Sequence, residues 1–311
     1  MNSIELSIVV PVYNSGEIIH KLYACIVAAL DKQYTFEILF VNDCSKDNSW
    51  QKIKELTAAN PFVTGINLKK NSGQDNALLA GLRMAKGNYV VIMDDDLQHH
   101  PKDILLLYAT VCKGFDVCYA NFETKKQSKI KNAGSNLNGR MAEILIAKPK
   151  EIYLSPFKII NKSTVAEIIK FAGPYPYIDG IILSITSNIT QVEITHHERN
   201  SGKGNYSIKR SANVFFKMFT GFSILPLRIA TVTGILATLF GIVLAFKYVY
   251  DYFIAKNYVE GWTTVVILII VFGGLILTSL GIIGEYIGRT YLAINNKPQY
   301  SISEIVKSKE N

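Results

Sequence analysis

The sequence predicts an α/β domain built on a doubly covered sheet, followed by two helices long enough to cross a membrane. Three observations carry this. From Leu6 to Met93, short apolar β-branched runs alternate with helical stretches; each run ends in a polar cluster; and the apolar excess is gathered near the C-terminus. The chain has 311 residues, 49% of them hydrophobic, with a mean hydropathy of +0.19, high for a soluble domain of this size.

Leu6–Val12 (LSIVVPV), Phe36–Val41, Phe62–Leu68 and Tyr89–Met93 read as strands. Helical stretches lie between them at Gly16–Leu30, Asp47–Asn60 and Gln74–Lys86, with Asp47-Asn48-Ser49 capping the second. Continuously apolar strands separated by helices indicate a parallel sheet buried on both faces. Such sheets bind ligands beyond the C-terminal ends of their strands. The residues there are Tyr13-Asn14, Asn42-Asp43, Asn71-Ser72-Gly73 and Asp94-Asp95-Asp96. One such group by itself makes a turn or a cap. Their recurrence at every strand exit predicts a single pocket.

After Ile208 the pattern changes. Ile208, Ala212, Phe215, Phe216, Phe219 and Phe222 share a helical face, with Lys209, Arg210 and Lys217 elsewhere. Large aromatics with basic residues suit a helix lying on a membrane surface, the plainer alternative being a helix packed on the core. Ile229–Phe246 and Thr263–Gly284 then run without a charge. A hydrocarbon core of about 30 Å needs roughly 20 helical residues, which both runs approach or exceed. The expected division is a catalytic domain at 1–207, an interfacial helix at 208–226, a two-helix anchor at 227–290 and a tail at 291–311.

The formal charge of +8 has a location. Arg199, Lys203, Lys209, Arg210, Lys217 and Arg228 fall in a segment with no acid, directly before the first apolar run. The loop from Lys247 to Trp262 is short and balanced in charge. The positive-inside rule then places the N-terminal domain and the tail in the cytoplasm and the loop outside. Next to a membrane span, a basic segment is explained by anionic lipid rather than nucleic acid. The start of the chain lacks the basic n-region of a signal peptide. The 4 cysteines form no CxxC pair and no zinc spacing, as suits reduced cytoplasmic thiols.

The chemistry centres on Asp94-Asp95-Asp96. Mg²⁺ or Mn²⁺ takes one or two carboxylates and completes its shell with phosphates and water. Asp94 and Asp96, two apart, would share one side of an extended segment. Rival phosphate scaffolds are missing: no GxGxxG follows the first strand, and GxxxxGK[ST] occurs nowhere.

These landmarks resemble the family 2 inverting glycosyltransferases of GT-A fold, whose sheet is mixed. The matching residues are Val10-Pro11-Val12-Tyr13-Asn14, Val41 to Asp47, Asn71-Ser72-Gly73-Gln74 with Ala77 and Gly81, and Asp94 to Gln98. Within that family the chain is similar to the polyprenyl-phosphate glycosyltransferases: bactoprenol glucosyltransferases, dolichol-phosphate mannose synthases and undecaprenyl-phosphate aminoarabinose transferases. The segment His197 to Ser207, the Leu225-Pro226-Leu227-Arg228 before the first span and the two-span anchor carry this closer likeness. The departures are Cys44 where glycine is usual, Asp95 where alanine is frequent, His99-His100 in place of an acidic pair, and Ser155-Pro156-Phe157-Lys158 against a more usual Ser-Phe-Arg. Processive polysaccharide synthases share the core but need a Gln-x-x-Arg-Trp segment and further spans, which this sequence lacks.

The resemblance implies a nucleotide-sugar donor, preferably a UDP-sugar, a polyprenyl-phosphate acceptor and Mg²⁺ or Mn²⁺, with the enzyme on the cytoplasmic face of the inner membrane. It is compatible with a homo-oligomer and involves no nucleic acid. Pro11, Tyr13, Asn14 and Asp43 would line the base pocket, and Asn71, Gly73 and Asp95 would complete the nucleotide site. Asp94 would meet the nucleoside or the metal and Asp96 the metal. Arg199 and Lys203 would take phosphate, a guanidinium as a bidentate fork and an ammonium as a point charge. The acceptor phosphate is already anionic, so Asp179 is either a general base or a sugar-hydroxyl contact. Two other readings stand beside this one: a different lipid or membrane-protein acceptor, and a non-catalytic partner in lipid-carrier translocation, which the intact Asp94 and Asp96 oppose.

Overall fold

A computed structural model describes residues 4–30, 33–122, 143, 148–173, 175–194, 225–253, 261–295 and 298–308. The first four strands are β1 (Leu6–Val12), β2 (Phe36–Asn42), β3 (Val63–Leu68) and β4 (Tyr89–Ile92). The helices between them are α1 (Ile19–Leu30), α2 (Ser49–Ala59) and α3 (Gln74–Leu82). All lie within a few residues of their expected places. The expected cap of α2 is only partly met. Asn48 holds the N-cap position without a side-chain bond, and Asp47 instead accepts from the Ser49 amide at 3.0 Å and the Gly16 amide at 3.0 Å.

β1 pairs in parallel with both β2 and β4, and β2 with β3. Side chains alternate across these strands and supply two cores. Leu6, Ile8, Val10 and Val12 join α1, α2 and α4 (Asp103–Val111) on one face. Val9, Leu39 and Val41 join α3, α5 (Lys162–Ile168) and α6 (Ile178–Ile185) on the other. Gly81 lets α3 lie close on the sheet: a Cβ there would come within 2.4 Å of Val9 Cγ1.

The remaining strands are β5 (Val117–Phe122), β6 (Lys158–Asn161), β7 (Ile189–Ile194) and β8 (Ile302–Lys307). They complete one 8-stranded sheet in the order β7-β5-β6-β4-β1-β2-β3-β8. β6 runs antiparallel between β4 and β5, and β8 antiparallel along β3, so the sheet is mixed.

Two long helices, α7 (Leu225–Phe253) and α8 (Trp262–Ile294), precede β8. By length and composition both can cross a membrane, through windows at Leu227–Leu244 and Val271–Leu292 in which none of the described residues is buried. Their apolar side chains face outward: Phe246 is 73% and Leu277 71% exposed. The tail expected at 291–311 does not simply trail away. Gln299 donates to the Phe171 and Gly173 carbonyls at 3.2 and 2.6 Å, Arg83 reaches the Tyr300 hydroxyl at 3.0 Å, and β8 then joins the sheet. Arg199, Lys203 and nearly all of the interfacial helix expected at 208–226 lie outside the described residues.

Candidate active site

Each strand exit is shaped by a local device. Beyond β1, Asn14 adopts a left-handed φ of 55°, which asparagine tolerates better than most residues. Its amide donates to Ser45 Oγ at 3.0 Å, and its own Oδ1 accepts from the Lys46 amide at 2.8 Å. Asn14 thus ties the β1 exit to the β2 exit. Beyond β2, the Asp43 amide donates to the Val12 carbonyl at 2.9 Å. The Asp43 carboxylate accepts from the Ser72 and Gly73 amides at 2.7 and 2.9 Å, so it pulls the loop before α3 against β2. Cys44 keeps the left-handed turn, with φ 55°, although glycine is usual there. The departure therefore leaves the turn intact at a cost of about 1–2 kcal/mol.

Beyond β4 the backbone differs from expectation. Asp94 and Asp96 are not related by strand alternation, because Asp95 and Asp96 already sit in a turn and Leu97 has a φ of 57°. The turn is closed by the Gln98 amide donating to Asp96 Oδ1 at 3.1 Å. Gln74, the first residue of α3, donates its side-chain amide to Asp94 Oδ1 at 2.7 Å. Asp95 Oδ2 accepts from the Tyr13 amide at 3.4 Å. Burial pushes the Asp95 carboxyl up, against the hydrogen bonds from Ser15 and Tyr13, and the neighbouring Asp96 charge adds to the rise.

The exits enclose a cavity of about 370 Å³, large enough for a small organic ligand. Pro11, Tyr13, Asp43, Asn71, Gly73, Asp94, Asp95 and Asp96 line it as expected. Val12, Gln74 and Ala77 also form its wall. Gln74 and Ala77 were visible in the sequence only as parts of a motif, because the turn of chain that brings α3 to the Asp cluster has no local signature. Asn14 is absent from the wall and acts on the loop behind it. Among the described residues, no group of three or more His, Cys, Asp or Glu could by itself hold a metal ion. Asp94 and Asp96 nevertheless present hard carboxylate oxygens to one cavity, which fits a Mg²⁺ or Mn²⁺ ion completed by phosphate and water. The two histidines after this cluster face elsewhere. His99 is buried and stacked on Phe157 at 5.2 Å, and His100 Nδ1 accepts from the Lys102 amide at 3.2 Å.

Asp179 does not line the cavity. It sits in the first turn of α6, where Oδ1 accepts from the Tyr119 hydroxyl at 2.9 Å and forms a close ion pair with Lys158 Nζ. Lys158 opens β6 opposite Ile92 of β4, two residues before Asp94, so the pair belongs to the same rim. The sequence marked Lys158 only as a departure from a pattern, and Tyr119 had no signal at all.

The glycosyl transferase family 2 profile matches residues 7–168. An uncharacterized glycosyltransferase of Bacillus subtilis (strain 168) is 30% identical over 97% of this chain and 94% of its own. A prophage bactoprenol glucosyl transferase homolog of Escherichia coli (strain K12) is 29% identical over 97% and 100%. An undecaprenyl-phosphate 4-deoxy-4-formamido-L-arabinose transferase of Proteus mirabilis (strain HI4320) is 27% identical over 98% and 95%. Among solved structures, glucosyl-3-phosphoglycerate synthase from Mycobacterium tuberculosis, held with Mn²⁺, UDP and its product, shares the fold. Its TM-score is 0.53 at 15% identity, over 70% of this chain and 78% of that one. The mixed sheet, the cavity beyond its strand ends and the match across 7–168 lead to one conclusion: the chain belongs to glycosyl transferase family 2.

Proposed function

We propose that this enzyme transfers a sugar, with inversion, from a UDP-sugar to polyprenyl phosphate at the cytoplasmic face of the membrane. The observation that carries the proposal is the convergence of four strand exits, four carboxylates among them, on one cavity of about 370 Å³. Relatives named for undecaprenyl phosphate and bactoprenol support the acceptor, and a fold neighbour holding UDP supports the donor. An acceptor phosphate oxygen forms the new bond to the anomeric carbon as the bond to UDP breaks, and UDP leaves with the electron pair. The acceptor is already an anion, so the protein's task is positioning rather than deprotonation. Pro11, Tyr13 and Asp43 shape the nucleoside end of the cavity, while Asn71, Gly73 and Asp95 complete it. Asn14 holds the loop behind it. Asp94 and Asp96 would hold Mg²⁺ or Mn²⁺, which when bound neutralises charge on the departing diphosphate. Arg199 and Lys203 serve the phosphates.

The exposed apolar surfaces of α7 and α8 suit hydrocarbon, so both helices span the bilayer. Two crossings return the chain to its starting side, where β8 joins the sheet that carries the cavity. Only residues 295–298 separate the end of α8 from Gln299, already docked on the domain, a reach of about 15 Å at full extension. The active site is thus held near the headgroups, where a lipid-linked phosphate lies. The test is incubation of membranes carrying the full chain with radiolabelled UDP- and GDP-sugars and polyprenyl phosphate. Label should enter the lipid phase from a UDP-sugar and should fail to do so in EDTA. Label in protein instead would overturn the acceptor, label from a GDP-sugar alone the donor, and unchanged transfer in EDTA the metal.

A further inference from the structure

Lys158 is a charge buried where an apolar residue would serve the fold as well. Its side chain is 3% exposed, whereas that of its partner Asp179 keeps 16%. A buried ion pair is a weak device for stability, since desolvating two charges offsets most of their attraction. The donors on Asp179 come from the sheet. Lys158 Nζ approaches from β6, lying 5.0 Å from the centre of the Tyr119 ring, and the Tyr119 hydroxyl approaches from β5 at 2.9 Å. Burial, with the Asp179 charge, raises the Tyr119 phenol well above its ordinary value, so it remains a donor at any working pH. Both donors converge on the single oxygen Oδ1, which sets the orientation of the carboxylate. The arrangement also meets the cavity wall. Asp75, beside Gln74, accepts from the Ile178 amide at 3.4 Å, joining the start of α6 to the start of α3.

We propose that Lys158, with Tyr119, is a positioning residue that aims the partly exposed Asp179 carboxylate at a hydroxyl of the donor sugar beside the nucleotide cavity. This rests on the donor reading above and adds to it the residues that recognise the sugar rather than the nucleotide. It also predicts which substitutions mislead. Asp179→Asn alone strands the buried Lys158 ammonium, and Lys158→Met alone leaves Asp179 without its counter-charge, so each lowers stability whatever the pair does in catalysis.

The test is therefore the double variant Lys158→Met/Asp179→Leu in the full chain, beside Lys158→Arg. Thermal unfolding, UDP binding, and kcat and KM for the UDP-sugar that the wild type uses are measured on each. The double variant should unfold near the wild-type temperature, because apolar replacement of a buried pair is often neutral or better. It should bind UDP within about twofold of the wild type, yet lose about 10- to 10²-fold in kcat/KM, the worth of one hydrogen bond to a charged group. Lys158→Arg, which keeps a cation at Asp179, should recover most of that loss. A stable double variant with wild-type turnover would show that the pair only fills space and would overturn the proposal. An equal fall in UDP affinity and turnover would do so too, by showing damage to the whole cavity. A wild type that transfers no sugar from any UDP-sugar would instead refute the donor reading.

Discussion

Two carboxylate settings on the same sheet rim are built in opposite ways. Asp94, Asp95 and Asp96 face a cavity and accept from amides: the Gln74 side chain, the Tyr13 backbone and the Gln98 backbone. Asp179 stands beside that cavity and is held by an ammonium and a phenol, both buried. Amide donors leave the first cluster its negative charge, which is what a cation or a diphosphate-bound metal requires. The ammonium balances the charge of Asp179 and leaves it a directional acceptor. Position on the rim is common to both; the donor that reaches each carboxylate separates their chemistry.

That contrast is broken most directly by removing one charge from each setting. Asp179→Asn leaves Lys158 buried without its counter-charge and should lower stability by about 3–5 kcal/mol, read from denaturant unfolding. Asp96→Asn keeps an Oδ1 for the Gln98 amide, so its stability should stay within about 0.5 kcal/mol while turnover falls by about 10²-fold. If Asp96→Asn unfolds the domain as readily as Asp179→Asn does, the two settings are not distinct.

A smaller effect is expected behind the cavity. Cys44→Gly removes a side chain from a left-handed residue and should raise stability by about 0.5–1 kcal/mol, with activity unchanged. A loss of stability would mean that the Cys44 thiol, 3.8 Å from the Lys69 carbonyl, contributes more than the strained backbone costs.

The finest distinction lies within the cluster. Because burial raises the folded-state pKa of Asp95 above 3.8, the folded chain binds more protons than the unfolded chain just above that pH. Stability is therefore lost as pH rises through that window, and the loss is absent below it. Asp95→Asn lacks this titration yet keeps an acceptor for the Tyr13 amide. Measured from about pH 3.5 to 6, its unfolding temperature should gain on the wild type as pH rises. Parallel curves would place Asp95 with the solvated carboxylates.

The four N-terminal strands, the helices between them and the polar strand exits were legible from residue order. Strands buried on both faces must be apolar throughout, and a ligand site must break that pattern where each strand ends. The two apolar helices were legible for the same reason, since hydrocarbon demands composition over a fixed length. Cys44 and the Asp cluster could be located but not shaped: the bonds that set Asp43, Asp94 and Asp95 in place come from Ser72, Gln74 and Tyr13, which arrive from other strand exits. The antiparallel insertion of β6, the return of β8 and the contacts of Lys158 and Tyr119 with Asp179 could not be read from residue order, although Asp179 stood out as a candidate and Lys158 as a departure. Each is a pairing between segments distant in sequence, as Lys158 with Asp179 or Thr64 with Lys307. Local composition reports how much surface a segment must bury, whereas the choice of neighbour belongs to the assembled sheet, and the chemistry of Asp179 follows from that choice.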